Sequence, residues 1–307
     1  MDKARLAVNL GALRLKNPVM TASGTFGYGL EFAPYGNLDD LGGIVVKGIS
    51  LQPRQGNPMP RVAESAGGML NAVGLQNIGV EAFIKEKLPK LPWKSTSIVV
   101  NIYAQDAAGF AELADILAAE EGVAALEVNI SCPNVSAGGI QFGQDPRMAA
   151  EVTESVKKKA GRKPVAVKLS PNVTDITVIA KAVEEAGADI LTCINTLRGL
   201  AVDVKSRKPR MANVVGGLSG PAIKPVALRC VQQVCAAVSI PVIGVGGIAC
   251  AEDILEFIMV GATAVQIGTA NFIRPDSAFI MLRQLPELMA QYNISSLEAF
   301  RGALQLP

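Results

Sequence analysis

The chain has 307 residues, of which 50% are hydrophobic and 18% charged, and its formal net charge is only +2. This composition supports one large domain or two smaller ones with a sizeable core, and it excludes the basic surface expected of a nucleic-acid-binding protein. No apolar run approaches the roughly 20 residues of a membrane-spanning helix, and the N-terminus lacks the long apolar core of a signal peptide. Five cysteines without the spacing of a disulfide framework favour reduced thiols and a cytoplasmic protein.

The sequence contains no histidine. This excludes the Ser-His-Asp and Cys-His arrangements of nucleophilic catalysis and most zinc sites. Any proton transfer must therefore use Cys, Lys, Tyr, Asp or Glu.

The predicted elements begin with a short hairpin, Leu6–Asn9 and Leu13–Leu15, which turns at Gly11 and would cap the bottom of the fold. Period-2 apolar runs and β-branched residues then predict eight strands. In chain order they are Pro18–Ala22, Gly43–Val46, Ser97–Ile102, Ala124–Ile130, Val165–Leu169, Asp189–Ile194, Val242–Val245 and Ala264–Ile267. Helical periodicity predicts the segments Gly79–Lys90, Ala107–Glu121, Pro146–Lys159, Thr174–Ala186, Ile223–Val238, Glu252–Val260, Ser277–Gln291 and Ser296–Leu304.

Eight strands, each followed by a crossover, predict an α/β fold of the (β/α)8 TIM-barrel class, formed by residues 1–307 as a single domain. A doubly wound sheet is the weaker alternative, because its phosphate-binding glycines would follow the first strand, whereas here they come last. Three connections are too long or too polar for ordinary turns, which indicates function. They are the segment from Ile49 to Ile78 after strand 2, the segment around Cys132 after strand 4, and the segment from Leu197 to Gly217 after strand 6.

Polar residues or glycines terminate nearly every predicted strand, and in a TIM barrel these ends converge on one site. They are Ser23, Lys47, Asn101, Asn129, Cys132, Lys168, Asn195, Thr196, Gly246, Gly247, Gly268 and Thr269. A lysine within an apolar strand is costly unless its charge is paired or used, which favours a function for Lys47 and Lys168.

The last two strand ends predict a phosphate cradle. Gly246-Gly247, Gly268-Thr269 and the turn Leu218-Ser219-Gly220-Pro221 offer backbone N–H groups where barrels of this class bind phosphate. No strand end carries a cluster of carboxylates or cysteines, so a catalytic metal is not expected. The remaining cysteines, Cys193, Cys230, Cys235 and Cys250, are interpreted as core or filler residues.

Cys132 follows the fourth strand directly before Pro133, with Asn129 and Asn134 on either side and Gly138-Gly139 beyond. Its alternatives are a buried structural thiol in a βα turn or a reactive group under a mobile loop. A phosphorylated ligand, a lysine and neutral amides suggest FMN, which accepts hydride. The thiol would then remove the acidic proton next to a carbonyl, because its unperturbed pKa of about 8.5 is close to neutrality.

The motifs of the whole chain resemble those of dihydroorotate dehydrogenase, family 1. The matching segments are ASGTFGYG (22–29), VVKGIS (45–50), NAVGLQN (71–77), NISCPNV (129–135), VKLSPN (167–172), INT (194–196), GGLSGPAIKP (216–225), GVGGI (244–248) and QIGTA (266–270). The cysteine in NISCPNV marks family 1, since the membrane-associated family 2 has serine there.

The resemblance implies that this chain oxidises (S)-dihydroorotate to orotate in pyrimidine biosynthesis, with one FMN per chain and Cys132 as general base. It implies substrate binding by Lys47, Asn71, Ala72, Val73, Gly74, Leu75, Asn129, Asn195 and Thr196. It implies FMN binding by Ser23, Lys47, Gly48, Asn101, Asn129, Lys168, Ile194, Gly220, Gly246, Gly247, Gly268 and Thr269.

Within the family, SAGGIQFG and NAVGLQN look like type 1B. That type implies two copies of this chain in a heterotetramer with two partner subunits, which carry FAD and a [2Fe–2S] cluster and pass electrons to NAD⁺. A type 1A homodimer that uses fumarate remains an alternative. A dihydropyrimidine-type reductase acting on uracil and a phosphate-binding barrel without redox function are further alternatives.

Overall fold

The computed structural model describes residues 6–131 and 142–306. The strands in this part of the chain are β1 (Val8–Leu10), β2 (Leu13–Leu15), β3 (Val19–Thr21), β4 (Gly43–Val45), β5 (Val62–Ser65), β6 (Gly68–Asn71), β7 (Ser97–Ile102), β8 (Ala125–Asn129), β9 (Val165–Leu169), β10 (Ile190–Cys193), β11 (Leu197–Leu200), β12 (Val202–Asp203), β13 (Lys208–Pro209), β14 (Val215–Ser219), β15 (Val242–Val245) and β16 (Ala264–Ile267). The α-helices are α1 (Val80–Ala82), α2 (Ala107–Ala118), α3 (Pro146–Lys159), α4 (Ile176–Glu185), α5 (Lys224–Ala237), α6 (Ala251–Met259), α7 (Ala270–Ile273), α8 (Ser277–Gln291) and α9 (Leu297–Phe300).

The centre of the fold is a closed barrel of parallel strands in the order β3-β4-β7-β8-β9-β10-β15-β16, with β16 pairing back to β3. Strands β3, β4, β9, β10, β15 and β16 are buried along their whole length, as expected for strands covered on both faces. The predicted (β/α)8 barrel is confirmed. Its strand bounds agree with the sequence-based prediction to within one residue at each end.

The N-terminal hairpin pairs β1 with β2 in an antiparallel register, and Gly11 makes the turn with φ of 62°. A Cβ on Gly11 would lie 3.9 Å from the carbonyl oxygen of Asp189, the residue before β10. The hairpin therefore lies at the N-terminal ends of the barrel strands, as predicted, and leaves the opposite end free.

Acidic side chains begin three of the outer helices. Asp106, Asp145 and Asp175 each accept a hydrogen bond from a backbone N–H in the first turn of α2, α3 and α4, respectively. Such caps satisfy donors that the helix itself leaves unpaired.

Two predicted helices are less regular than their periodicity suggested. The segment predicted as one helix over Gly79–Lys90 is α1 followed by a π-helical turn, Phe83–Lys87, and a 3-10 turn, Leu88–Lys90, because Pro89 has no N–H to continue the α-helix. The last helix is only α9, and the chain reaches a left-handed conformation at Gly302 (φ 73°).

The excursions after barrel strands 2 and 6, which were predicted to be functional and were assigned no strands, form one antiparallel sheet. Its order is β11-β14-β6-β5, and the pairing of β14 with β6 joins the two excursions. A small core of Ala63, Leu70 and Met211 lies in this sheet, separate from the barrel core. The third excursion, residues 132–141, lies outside the described residues.

Smaller elements complete the connections. They are the 3-10 turns Leu30–Tyr35, Leu38–Asp40, Phe142–Gln144 and Pro221–Ile223, and the β12–β13 pair. None of the helices in residues 6–131 and 142–306 is long and apolar enough to span a membrane.

Candidate active site

The C-terminal ends of the barrel strands enclose a cleft of about 1150 Å³, including the part that is open to solvent. All residues that the sequence predicted for FMN line it. They are Ser23, Lys47, Gly48, Asn101, Asn129, Lys168, Ile194, Gly220, Gly246, Gly247, Gly268 and Thr269. We call this space the cofactor cleft.

A second cleft adjoins the first and shares seven lining residues with it. They are Lys47, Asn71, Val73, Leu75, Asn129, Asn195 and Thr196. All residues predicted for the substrate line this second space, which we call the substrate cleft. They are Lys47, Asn71, Ala72, Val73, Gly74, Leu75, Asn129, Asn195 and Thr196. The sheet formed by the two excursions supplies part of this wall, because Asn71 belongs to β6 and its side chain donates to the carbonyl of Gly217 in β14 (3.2 Å).

Lys47 lies between the two clefts. It is half-buried, and its ammonium group makes no hydrogen bond or ion pair with any described residue. Burial lowers the pKa of Lys47, and the nearby guanidinium of Arg61 lowers this pKa further. A cation without a protein counter-charge is suited to receive an anionic group.

The amides of the substrate cleft hold one another in place. The Asn195 side-chain amide donates to Asn129 Oδ1 (3.2 Å) and to Ser131 Oγ (2.9 Å), and the backbone N–H of Ser131 donates to the same Asn129 oxygen (3.2 Å). Ser131 is the last described residue before the 132–141 gap. The chain therefore enters that segment from a fixed position.

Nine residues of the substrate cleft were not assigned a role from the sequence, among them Ser131, Asn172 and Arg198. Asn172 donates from its side chain to the carbonyl of Thr196 (2.9 Å) and accepts from the backbone N–H of Arg198 (3.0 Å), so it positions the start of β11. The Ser-Pro-Asn sequence that follows the strand containing Lys168 is the feature from which a role for Asn172 could have been predicted.

Glycine turns form the far end of the cofactor cleft. Gly220, Gly246 and Gly247 have φ values of 100°, 132° and 80°, which favour glycine. The backbone N–H groups of Gly247, Gly268 and Thr269 donate no hydrogen bond to any atom of the described chain. Free N–H donors and a threonine hydroxyl are the donor set that a phosphate group requires.

An ion network between α5 and α6 supports this turn. Lys224 pairs with Asp253 (2.6 Å) and Glu256 (2.9 Å), and Asp253 also accepts from the backbone N–H groups of Ala249 (2.7 Å) and Cys250 (3.0 Å). Although burial alone would raise the pKa of Asp253, these hydrogen bonds hold the pKa below its ordinary value. The loop after Gly247 is thus tied to both helices.

Sequence reasoning also missed a buried carboxylate, Glu127 in β8, which is fully buried in the barrel. It accepts hydrogen bonds from Asn101 (2.8 Å), Thr192 (2.9 Å) and Gln266 (2.6 Å). Its position in the middle of an apolar strand was the available signal, since a carboxylate there must be paired.

The predicted base Cys132 lies outside the described residues, as do Pro133, Asn134, Gly138 and Gly139. Among the described thiols, Cys193 and Cys230 are buried, as predicted, whereas Cys235 is half-buried and Cys250 is exposed at the start of α6. Burial raises the pKa of Cys193, and it raises the pKa of Cys235 to about 12. None of these four lines either cleft, and within the described ranges no group of three or more Cys, Asp or Glu side chains is arranged to bind a metal.

Comparison with known proteins adds three observations. The family model for dihydroorotate dehydrogenase matches residues 5–289. Two relatives, both named "Dihydroorotate dehydrogenase B (NAD(+)), catalytic subunit", come from Solidesulfovibrio magneticus and Maridesulfovibrio salexigens. They are 70% and 63% identical over 98% of this chain and over 98% and 99% of their own lengths, respectively. A protein of the same name from a Geobacter species is 54% identical over the full length of both chains. The chain therefore belongs to the dihydroorotate dehydrogenase family.

Proposed function

We propose that this protein is the catalytic subunit of an NAD⁺-linked dihydroorotate dehydrogenase, which oxidises (S)-dihydroorotate to orotate in pyrimidine biosynthesis. The observation that carries the proposal is the overlap of two clefts, whose shared lining includes Lys47 and Asn129. One cleft contains the residue set expected for a flavin, and the other contains the set expected for the pyrimidine. The names of the full-length relatives support the NAD⁺-linked type over the fumarate-linked one.

The cofactor cleft fits FMN at both ends. Gly246, Gly247, Gly268 and Thr269 would hold the phosphate, since the N–H groups of Gly247, Gly268 and Thr269 donate to no atom of the described residues. Lys168 and Asn101, with the backbone at Gly48 and Ile194, would hold the ring system at the other end. When bound, FMN supplies the hydride acceptor for the oxidation of a C–C bond.

The substrate cleft fits an anionic, amide-rich ring. Lys47 would pair with the carboxylate of dihydroorotate, and the pairing would relieve the cost of a charge that no described residue pairs. Asn71, Asn129 and Asn195 supply neutral amides that both donate and accept, which suits the ring N–H and C=O groups. The backbone from Ala72 to Leu75 would close the cleft over the ring.

Cys132 is the proposed general base, which would remove the acidic C–H proton of dihydroorotate next to a carbonyl. Its neighbour Ser131 is held by Asn195 and by Asn129, so the thiol follows a backbone position that the substrate amides themselves fix. The same amides would therefore orient the ring and the segment that carries the base. Such positioning is a large part of what an active site contributes to a proton transfer.

The remaining parts of the proposal concern the assembly. We infer one FMN per chain in a single barrel domain, and a partner subunit that carries FAD and a [2Fe–2S] cluster. Two copies of each subunit would form a heterotetramer in the cytoplasm. The words "catalytic subunit" in the names of the relatives support a partner of this kind.

The test is anaerobic titration of the purified chain with (S)-dihydroorotate while the visible flavin spectrum is recorded. We expect a flavin-coloured protein whose absorbance bleaches with dihydroorotate but not with dihydrouracil, which lacks the carboxylate that Lys47 would bind. A colourless protein that cannot be reconstituted with FMN would overturn the proposal in favour of a barrel without redox function. Equal bleaching by dihydrouracil would instead favour a dihydropyrimidine-type reductase.

A further inference from the structure

The carboxylate of Glu127 connects five strands of the barrel beneath the cofactor cleft. Glu127 belongs to β8, and its oxygens accept from Asn101 of β7, Thr192 of β10 and Gln266 of β16. Lys168 of β9 places its Nζ 3.9 Å from Glu127 Oε1. The exposed fraction is 1% for the side chain of Glu127 and 9% for that of Lys168, so this charge pair lies in a medium where Coulomb interactions are only weakly screened.

Glu127 balances the charge of Lys168 without accepting a hydrogen bond from it. The Lys168–Glu127 distance exceeds a normal hydrogen bond, and Lys168 Nζ makes no hydrogen bond within the described part of the chain. The ammonium group is therefore partly neutralised by Glu127 while its three donors remain available to the cleft that it lines. A purely structural lysine would instead be expected to use its donors on the carboxylate.

Glu127 also fixes which end of the Asn101 amide faces the cleft. Because Asn101 donates its Nδ2 to Glu127, its Oδ1 points elsewhere, and a Cβ on Gly48 would lie 2.8 Å from that oxygen. Gly48 and Asn101 both line the cofactor cleft. The buried carboxylate thus presents one amide acceptor and one cationic donor to whatever the cleft binds.

From this arrangement we propose that Glu127 is a positioning residue that sets the reduction potential of the bound flavin, by compensating the charge of Lys168 and orienting Asn101. The inference rests on the proposed function, because it requires FMN in the cofactor cleft. A flavin gains negative charge when it is reduced at neutral pH. Removal of the negative charge at position 127 therefore stabilises the reduced form, and the potential becomes more positive.

Glu127→Gln is the variant that isolates the charge. The two side chains have nearly the same shape, and Gln266 Oε1 has no hydrogen-bond partner among the described residues. Rotation of the Gln266 amide by half a turn would bring this free oxygen to the NH₂ group that the substitution introduces, so the hydrogen bonds can be kept while the charge is lost.

The experiment measures the equilibrium of the FMN-loaded protein with a reference dye under anaerobic conditions. For Glu127→Gln we expect the reduced-to-oxidised flavin ratio to rise by about tenfold at a fixed dye potential, a shift of about 30 mV for a two-electron couple. Glu127→Asp keeps the charge but withdraws it from Lys168, so it should shift the ratio in the same direction by less. Thr192→Val is the matched control, because it removes a hydrogen bond to Glu127 without removing charge and should leave the ratio unchanged.

A ratio for Glu127→Gln equal to that of the wild type, with flavin still bound, would overturn the inference. An equal shift in Thr192→Val would overturn it as well, since the effect would then come from packing rather than charge. If Glu127→Gln does not retain flavin, Glu127→Asp decides, and an unchanged ratio in that variant is the negative result. Failure of the wild type to bind FMN would instead be a failure of the proposed function.

Discussion

At the scale of single residues, the proposed base is a thiol, Cys132, which lies just beyond the described residues. Cys132 follows Ser131, which Asn195 and Asn129 hold in place. We predict that Cys132→Ser slows flavin reduction by dihydroorotate by roughly 10²–10⁴ near neutral pH, because serine is a much weaker base. Anaerobic stopped-flow recording of flavin bleaching measures this rate, and the flavin content should stay that of the wild type.

The matched control for this change is Cys250→Ser. Cys250 is an exposed thiol at the start of α6, outside both clefts. Its replacement should leave the rate of bleaching unchanged. A Cys132→Ser protein that bleaches as fast as the wild type would show that another group removes the proton.

In the ligand-free protein, the partly buried charge of Lys47 lowers the stability of the fold, and a bound anion would offset this effect. Burial lowers its pKa, and Arg61 lowers it further. We predict that Lys47→Met raises the free energy of unfolding of the flavin-free protein at neutral pH by roughly 0.5–2 kcal/mol, the usual scale for relief at a functional site. The same variant should lose saturable binding of dihydroorotate. Chemical denaturation and substrate titration measure the two effects.

The stability difference between wild type and Lys47→Met should shrink with rising pH. An unfolded chain keeps a lysine protonated up to a pH of about 10.4, whereas folded Lys47 releases its proton at a lower pH. In the window between these values the unfolded state binds more protons, so the stability of the wild type rises with pH relative to the variant. The exposed Lys90 provides the control, since Lys90→Met should change stability by at most about 0.5 kcal/mol. A pH-independent difference would contradict the assigned cause.

At the scale of elements, the turn after β15 combines a left-handed backbone with close packing. A Cβ on Gly247 (φ 80°) would lie 2.7 Å from the backbone nitrogen of Lys224. We predict that Gly247→Ala costs about 1–3 kcal/mol from backbone strain and a further 1–3 kcal/mol or so from overpacking. Displacement of the turn should weaken FMN binding by roughly tenfold or more. Thermal unfolding and fluorescence titration with FMN measure both.

A control substitution at Gly302 distinguishes the cost of backbone strain from the cost of overpacking. It also has a left-handed backbone (φ 73°), but a Cβ there would meet nothing within 4 Å. Gly302→Ala should therefore show the strain cost alone, with FMN affinity unchanged. Equal FMN affinity in the two variants would indicate that the Gly247 turn does not shape the phosphate end of the cleft.

The barrel elements and the cleft residues at the strand ends could be predicted from sequence because their signals are local, whereas the residues 71–75 came from the family resemblance. Apolar runs with β-branched residues mark β9 and β16, and a lysine or glycine pair at a strand end marks the mouth. The sheet of β11, β14, β6 and β5 could not be predicted in the same way. Its central pair, β14 with β6, joins residues more than 140 positions apart, as Asn71 with Gly217, and glycines in both strands give little strand propensity.

Glu127 shows a different limit of sequence reasoning. Its position in an apolar strand indicates that it must be paired, but its partners come from β7, β9, β10 and β16. These side chains contact one carboxylate because of the strand order and register. The spacing of the residues along the sequence does not predict these contacts. Many of the residues that line the clefts could be predicted, whereas the buried charge beside them required the fold.

At the scale of the whole molecule, we expect the choice of electron acceptor to depend on a second subunit as well as on this chain. The relatives from Solidesulfovibrio magneticus and Geobacter are named as catalytic subunits of an NAD(+) enzyme, and this chain matches 98–100% of their lengths. We predict that the purified chain passes electrons from dihydroorotate to its own flavin but does not reduce NAD⁺ at a catalytic rate. Co-expression with the electron-transfer subunit should restore NAD⁺ reduction.

The assay compares four mixtures: the chain alone and the co-purified complex, each with NAD⁺ or with fumarate. NADH formation only in the complex is the expected result, because electrons would reach NAD⁺ through the redox groups proposed for the second subunit. A complex containing the Cys132→Ser chain is the control, since it should assemble normally and reduce NAD⁺ no faster than its slowed flavin reduction allows. Fumarate turnover by the chain alone, at the rate of dihydroorotate oxidation, would show instead that this chain is a self-sufficient enzyme of the fumarate-linked type.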